Sequence, residues 1–399
     1  MQSALTTRFT YKHTIIACFM GYIVQAIVNN FVPLLFLTFH NTYTIPMSKI
    51  TFLVTFNFGF QMFIDFVSAG FIDKIGYRKA VIIAQAFSAA GFLLLTILPE
   101  VMSNSFNGIL IAVLVYAVGG GLLEVLVSPI VEACPSDNKE AAMSMLHSFY
   151  CWGHVGVVLL STIFFAVFGI ENWKVLAILW MLVPLADLFL FMNVPINHLI
   201  AEGEEGLALR DLVKNKLFWI LILMMLCAGA SEQGVSQWAS TLAEAGLGIT
   251  KTMGDLMGPM FFAITMGTAR AIYGKFGANI NLNRFMSFST MLCIGSYLLI
   301  ALSPWAILSL IGCGICGFSV GIMWPGTFSM AASKIKNGGT VMFAMFALAG
   351  DVGCSVGPTL VGLASSAMSD NLKMGILFGV VFPVFMLGGL LLFRLGKKA

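Results

Sequence analysis

Residues 70–79 read GFIDKIGYRK and stand between two apolar runs that begin near residues 47 and 80. Runs of this length match the roughly 20 residues an α-helix needs to cross a bilayer's hydrocarbon. With no water there, backbone groups must bond to one another within the segment, so each run is read as a helix. Gly70 and Gly76 allow a tight turn between the two helices. Lys74, Arg78 and Lys79 keep that turn out of the lipid. The stretch is therefore a membrane hairpin, and the rest of the chain extends it.

Outward from this hairpin the pattern recurs about every 25 to 35 residues, with runs starting near 13, 47, 80, 107, 139, 173, 215, 252, 284, 304, 338 and 372. Of the 399 residues, 59% are hydrophobic and 10% charged, and mean hydropathy is +0.94. Soluble domains carry about 25% charged residues. The first run, His13 to Phe39, is too long for a signal h-region and holds Gln25, Asn29 and Asn30, so it is expected to stay as the first span. The fold class is an all-α membrane protein of twelve transmembrane helices.

Charge placement gives the orientation. With the N-terminus inside, 17 of the 21 Lys and Arg fall on one side, all but Lys49, Lys174, Lys251 and Lys373. By the positive-inside rule both termini are cytoplasmic, in a cell inner membrane. Cys313 and Cys316 form C-x-x-C, but inside an apolar run with no second ligand pair, so they read as small buried residues.

The longest polar stretch, PINHLIAEGEEGLALRDLVKN, divides the spans six and six. It gives an N-terminal bundle over 1–194, a linker over 195–214 and a C-terminal bundle over 215–399. The halves match at an offset of 197: Gly70 with Gly267, Lys139 with Lys336, Phe149 with Phe346, and Gly153-His154-Val155-Gly156 with Gly350-Asp351-Val352-Gly353. Pro129 and Pro325 match at one less. Several matches at one offset argue for duplication, and parallel six-helix repeats are the plan of major facilitator transporters. The G-x-x-x-G pairs Gly254/Gly258, Gly317/Gly321, Gly353/Gly357 and Gly375/Gly379 mark close helix packing.

Residues 70–79 also resemble the major facilitator loop signature G-x-x-x-D-R-x-G-R-K, with Lys74 in the Arg place. The resemblance implies that Gly70, Asp73, Gly76 and Arg78 form a conformational loop in which Asp73 pairs with cations of neighbouring helices. More narrowly, the chain resembles the fucose permease family. Leu123-Glu124 with Ser128-Pro129 looks like that family's acidic helix-4 motif. Residues 323–331, MWPGTFSMA, look like its helix-10 M-F-P-T-I-F-S-L-A. Residues 350–358 resemble its Gly- and Pro-containing helix-11 stretch. The family implies a sugar substrate, and Glu124 matches its proton-linked acid. Two places depart from the pattern: Asn29-Asn30 stand for an Asp, and Tyr150 for an Asn.

Charges at mid-membrane depth are costly, about 2.5–3.5 kcal/mol each on insertion scales, and so read as functional. They are Asp65, Glu124, Asp187, Glu232 and Asp351; Asp187, with few polar neighbours, reads as structural. The others lie on helical stripes that must face inward. Helix 1 carries Tyr22, Gln25 and Asn29, with Asn30 beside them. Helix 2 has Asn57, Gln61 and Asp65. Helix 4 has Tyr116, Gly120, Glu124 and Ser128. Helix 5 presents His147, Tyr150 and His154, and helix 7 Glu232, Gln233 and Gln237.

Amides and carboxylates satisfy sugar hydroxyls, and Tyr22, Tyr150, Trp152, Trp238 and Trp324 offer faces for stacking. His154 and Asp351, equivalent in the repeat, are expected to line a central cavity from opposite halves. Glu124 and Asp65 are the ion-coupling candidates. Asp65 with Gln61 and Asn57 is the oxygen set for sodium instead of a proton.

The reading is a monomeric alternating-access transporter of a small neutral solute, a sugar, driven by a proton or sodium gradient. No Lys or Arg is expected at mid-depth to hold an anion; only Arg270 comes near, at the inner end of helix 8, and His147 or His154 would be the remaining partners. The rival is an exporter of organic cations on the same fold. No nucleophile–base pair, metal spacing or phosphate-binding loop points to an enzyme or a cofactor.

Overall fold

The computed structural model describes residues 9–68, 70–197, 199, 206–249, 253–254, 256–369 and 371–395. Among these the protein is 87% helical with no strand. Its long helices are α1 (Tyr11–Asn30), α2 (Met47–Ser68), α3 (Tyr77–Val101), α4 (Ser105–Ala133), α5 (Lys139–Phe168), α6 (Trp173–Asn193), α7 (Lys216–Ser236), α8 (Phe261–Phe276), α9 (Leu282–Leu302), α10 (Ala306–Val320), α11 (Met323–Lys334), α12 (Gly339–Ala367), α13 (Leu372–Gly379) and α14 (Val381–Leu395).

Ten segments among the described residues are long and apolar enough to cross a membrane, α10 with α11 and α13 with α14 each counting as one. The places of the second and eighth spans are taken by α2 and by α8, which follows a π-turn at Leu256–Met260. Span starts read from hydropathy fall within a few residues of these helices, the eighth excepted. Beyond Asn30 the first span continues as a 3₁₀ turn, Val32–Leu35, with Pro33 in its first positions. Of the charges counted for orientation, Arg8, Lys251, Lys397 and Lys398 lie outside the described residues, as do the linker's Glu202, Glu204 and Glu205.

α2 is inverted relative to a soluble helix. Phe52, Phe56, Phe63 and Phe66 are exposed, while Asn57, Gln61 and Asp65 are at most 5% exposed. An apolar outside around a polar inside is the arrangement lipid requires. Such a protein belongs in a membrane and crosses it many times.

The chain divides into two compact units. The first comprises Met1–Pro135, Trp152–Glu205 and Gly339–Ala344; the second comprises Ser136–Cys151, Gly206–Gly338 and Met345–Ala399. In the first, an apolar core runs through Ile27, Phe31, Phe92, Leu95, Ile109 and Trp173, from α1, α3, α4 and α6.

Glycines sit at close helix crossings in both units, and one crossing recurs at the repeat offset. A Cβ on Gly153 of α5 would lie 2.9 Å from Ala26 of α1; one on Gly353 of α12 would lie 2.1 Å from the Leu226 carbonyl of α7. Gly120 of α4 abuts Gln61 of α2, and Gly317 of α10, at the same offset of 197, abuts the Phe262 carbonyl of α8. All four G-x-x-x-G pairs lie in the second unit. A Cβ on Gly254, Gly258, Gly321, Gly353, Gly357 or Gly375 would come within 3.1 Å of backbone atoms of another segment, and Gly379 meets the Tyr297 ring. They are packing residues, as the spacing predicts.

Candidate functional site

In the first unit, three helices meet through side chains that lipid would reject. Gln25 of α1 donates from Nε2 to Glu124 Oε2 of α4 at 2.6 Å. One turn further along α1, Asn29 Oδ1 accepts from both Asn57 Nδ2 at 3.1 Å and Gln61 Nε2 at 2.8 Å, each from α2. Tyr22 and Ser128 hydroxyls are 3.1 Å apart. The nearest carboxyl oxygens of Asp65 and Glu124 lie within 4.8 Å of one another. Helical spacing aligns these groups on single faces: 25 and 29, 57, 61 and 65, 124 and 128. Gly120 lets the α2 amides approach, because a Cβ there would reach within 2.9 Å of Gln61 Oε1.

The layer is buried and only partly saturated. Gln25 and Asn57 are 3% and 5% exposed, yet among the described residues Gln25 Oε1 and Asn57 Oδ1 accept no hydrogen bond. Buried acceptors of this kind are uncommon and call for an explanation. Two carboxyls this close do not both ionise without a cation between them; one proton or one metal cation relieves the pair. Beside the layer, Val28, Asn29, Asn57, Phe58 and Tyr116 line a small crevice.

The second unit holds a different device. Arg270 of α8 is 4% exposed, although the sequence reading counts it among the cytoplasmic cations at the inner end of a helix. Its guanidinium pairs with Glu232 Oε2 of α7 at 3.1 Å, donates from Nε to the Gly321 carbonyl at 2.9 Å, and meets the His147 carbonyl and Cys151 Sγ of α5 at 3.2 and 3.1 Å. Gly321 is open to it for a covalent reason. In a continuous helix its carbonyl would bond the amide four residues on, which is Pro325 and has no N–H. Glu232, expected to face substrate, is thus committed to an arginine, with Gln233 on its other oxygen at 3.3 Å.

The remaining predicted residues divide. Asn30 turns back on its own helix, Nδ2 to the Ala26 carbonyl at 2.8 Å. His147 is buried and stacks on Phe328 with ring centroids 5.8 Å apart. Trp324 is 8% exposed and lies against Gly350, and Trp238 Nε1 donates to the Pro358 carbonyl at 3.1 Å. Both serve packing within the second unit. Gln237 donates to Gln233 at 3.0 Å and is exposed, as is Trp152. Tyr150 and Asp351 in the second unit, and His154 in the first, are half-buried.

In the loop, Gly76 has φ +84°, a conformation that glycine adopts without strain. Gly70 precedes the single helical turn Ile72–Ile75. Arg78 closes the end of α6, donating to the carbonyls of Phe191 and Val194 at 2.7 Å and of Met192 at 2.9 Å. These are the acceptors a helix end leaves open. The Asp73 side chain lies outside what the structure describes.

Fold and layer together define a polytopic helical protein with a buried polar site inside a bundle. Residues 14–358 match the family model of the Major Facilitator Superfamily. The chain belongs to that superfamily, whose members are transporters. No curated protein matches it in sequence. Among solved structures it is similar to the Escherichia coli fucose:proton symporter FucP, at 14% identity and TM-score 0.80, covering 95% of this chain and 98% of that one. It is also similar to the proton:xylose symporter XylE, at 10% identity and TM-score 0.80, covering 94% of each chain. The human organic anion transporter MFSD10 follows at 16% identity and TM-score 0.75, covering 95% of this chain and 99% of that one. At such identities the likeness is one of fold.

Proposed function

We propose that this protein carries a small neutral solute, a sugar, across the cell inner membrane by alternating access, coupled to a proton that binds Glu124. The observation that carries the reading is the buried amide and carboxyl layer of α1, α2 and α4. Its unsaturated acceptors, Gln25 Oε1 and Asn57 Oδ1, suit the hydroxyl donors of a sugar. Charge points the same way. Arg270 is the one buried Lys or Arg among the described residues, and Glu232 neutralises it. Among the described residues an anion has no further buried Lys or Arg to meet.

Two six-helix halves joined by residues 195–214 supply the moving parts of a monomer with both termini in the cytoplasm. Tyr22 and His154 extend the substrate set of the first unit. Fold similarity to fucose:proton and proton:xylose symporters supports the sugar and the proton.

The test is uptake of labelled sugars into proteoliposomes under an imposed pH gradient, beside an organic cation and an organic anion. Saturable, gradient-driven uptake of a sugar alone is expected; uptake of either ion in its place overturns the reading. The nearness of Asp65 to Glu124 favours one second version, in which sodium sits between them. Uptake that needs sodium at fixed pH and is lost in Asp65→Asn selects it.

A further inference from the structure

A second buried acid lies in the first unit, outside this layer. Asp187 of α6 and Gln85 of α3 are both fully buried, and Gln85 Nε2 lies 2.5 Å from Asp187 Oδ2. That is the one hydrogen bond Asp187 makes among the described residues. Asp187 Oδ1 and Gln85 Oε1 are buried without a donor. No Lys, Arg or His among the described residues forms an ion pair with it. The elements around it offer Gly21 of α1, where a Cβ would stand 3.7 Å from Oδ2, and the thiol of Cys18.

Read as a carboxylate, this arrangement leaves a sealed charge with one neutral donor and leaves two acceptors orphaned in one spot. Unpaired buried charges are the costliest kind of buried polar group. One proton removes most of the fault. The nitrogen and oxygen of an amide exchange places without moving heavy atoms. Turned over, Gln85 presents its oxygen to Asp187, and an acid O–H donates to it. The orphaned amide oxygen becomes the acceptor, and Oδ1 becomes the carbonyl of a neutral acid.

Gln25 and Glu124 repeat the geometry at 2.6 Å, again with the glutamine oxygen unpartnered. The two acids differ in access. Glu124 is half-buried and adjoins a second carboxyl, so its proton has somewhere to go. Asp187 is sealed. It also lies against Gly21, one helical turn from Gln25 and next in sequence to Tyr22, so it sets the seat of the helix that carries the site.

We propose that Asp187 holds a resident proton: it is a neutral carboxylic acid bonded to Gln85, which takes no part in ion exchange at Glu124 and positions α1. The test is infrared spectroscopy of the purified full-length protein in light and heavy water, wild type against Asp187→Asn. The expected result is a protonated-carboxyl carbonyl band that shifts on deuteration, is missing in Asp187→Asn, and keeps its intensity from mildly acidic to mildly alkaline buffer. Gln85→Ala should move that band without abolishing it. Asn is the isostere of the neutral acid, so Asp187→Asn should keep its melting temperature, and Asp187→Ala should not. A missing band, a band that fades as pH rises, or an Asp187→Asn protein that folds poorly or loses uptake overturns the proposal. The infrared measurement stands whatever the transported solute is.

Discussion

The two units share a frame and differ in what they bury. At the repeat offset of 197, Tyr22, Gln25, Asn29, Asn57, Gln61, Asp65, Glu124 and Ser128 correspond to Trp219, Ile222, Leu226, Gly254, Gly258, Phe262, Gly321 and Pro325. Every polar member of the layer meets an apolar residue or a glycine. The charge of the second unit sits elsewhere, on Arg270 and Glu232, which correspond to Asp73 and Leu35. The glycine crossings survive in both. Backbone packing tolerates little change once two helices touch, whereas side chains facing an interior cleft are free to diverge. The first unit has kept groups with spare bonding capacity. The second has closed its charges on each other.

If the chemistry resides in the first unit, the largest effect is expected at Glu124. Glu124→Gln should lose gradient-driven accumulation in proteoliposomes while sugar exchange persists. Full accumulation in that variant would place the coupling outside this layer. Next is the ion pair of the second unit. Arg270→Ala leaves Glu232 buried and unpaired, a loss of about 3–5 kcal/mol read as a lowered melting temperature. Replacing both by leucine should recover most of it. An unchanged melting temperature for Arg270→Ala would mean the pair holds nothing together.

Asn29→Ala strands two buried amide donors, for about 1–3 kcal/mol, or roughly ten- to a hundredfold in sugar affinity by titration. Its counterpart Leu226→Ala should lower stability and leave affinity alone; equal affinity losses would erase the contrast between the units. The smallest difference is at the shared crossing. Gly317→Ala drives a Cβ to 2.5 Å from a backbone carbonyl, and Gly120→Ala to 2.9 Å from a side-chain tip. The first should cost about 1–3 kcal/mol. The second should cost less in stability and act on affinity through Gln61. A reversed order in melting temperature would count against the packing account.

Much of this was legible before any coordinates. Hydropathy is a local property, so helix starts at residues 47, 139, 173 and 372 coincide with the observed ones. The stripe of Gln25, Asn29, Gln61 and Glu124 was legible because periodicity places residues on a face. Partner choice was not, because it depends on which helices touch and how each is rotated. Glu232 therefore read as a substrate ligand until Arg270 stood beside it. Asn29 and Asn30 read alike, though a step of about 100° sends one to α2 and the other back to its own helix. Arg270 read as a cytoplasmic cation at the inner end of a helix, since nothing in its neighbours along the chain announces a carbonyl freed by a proline 55 residues away.

That proline has a standing effect. It leaves the Gly321 carbonyl without an amide four residues on, and Arg270 takes the vacant place. Restoring the ladder with Pro325→Ala would set a new backbone N–H and Arg270 in competition for the same oxygen, turning the flaw into an ordinary helix and evicting its tenant.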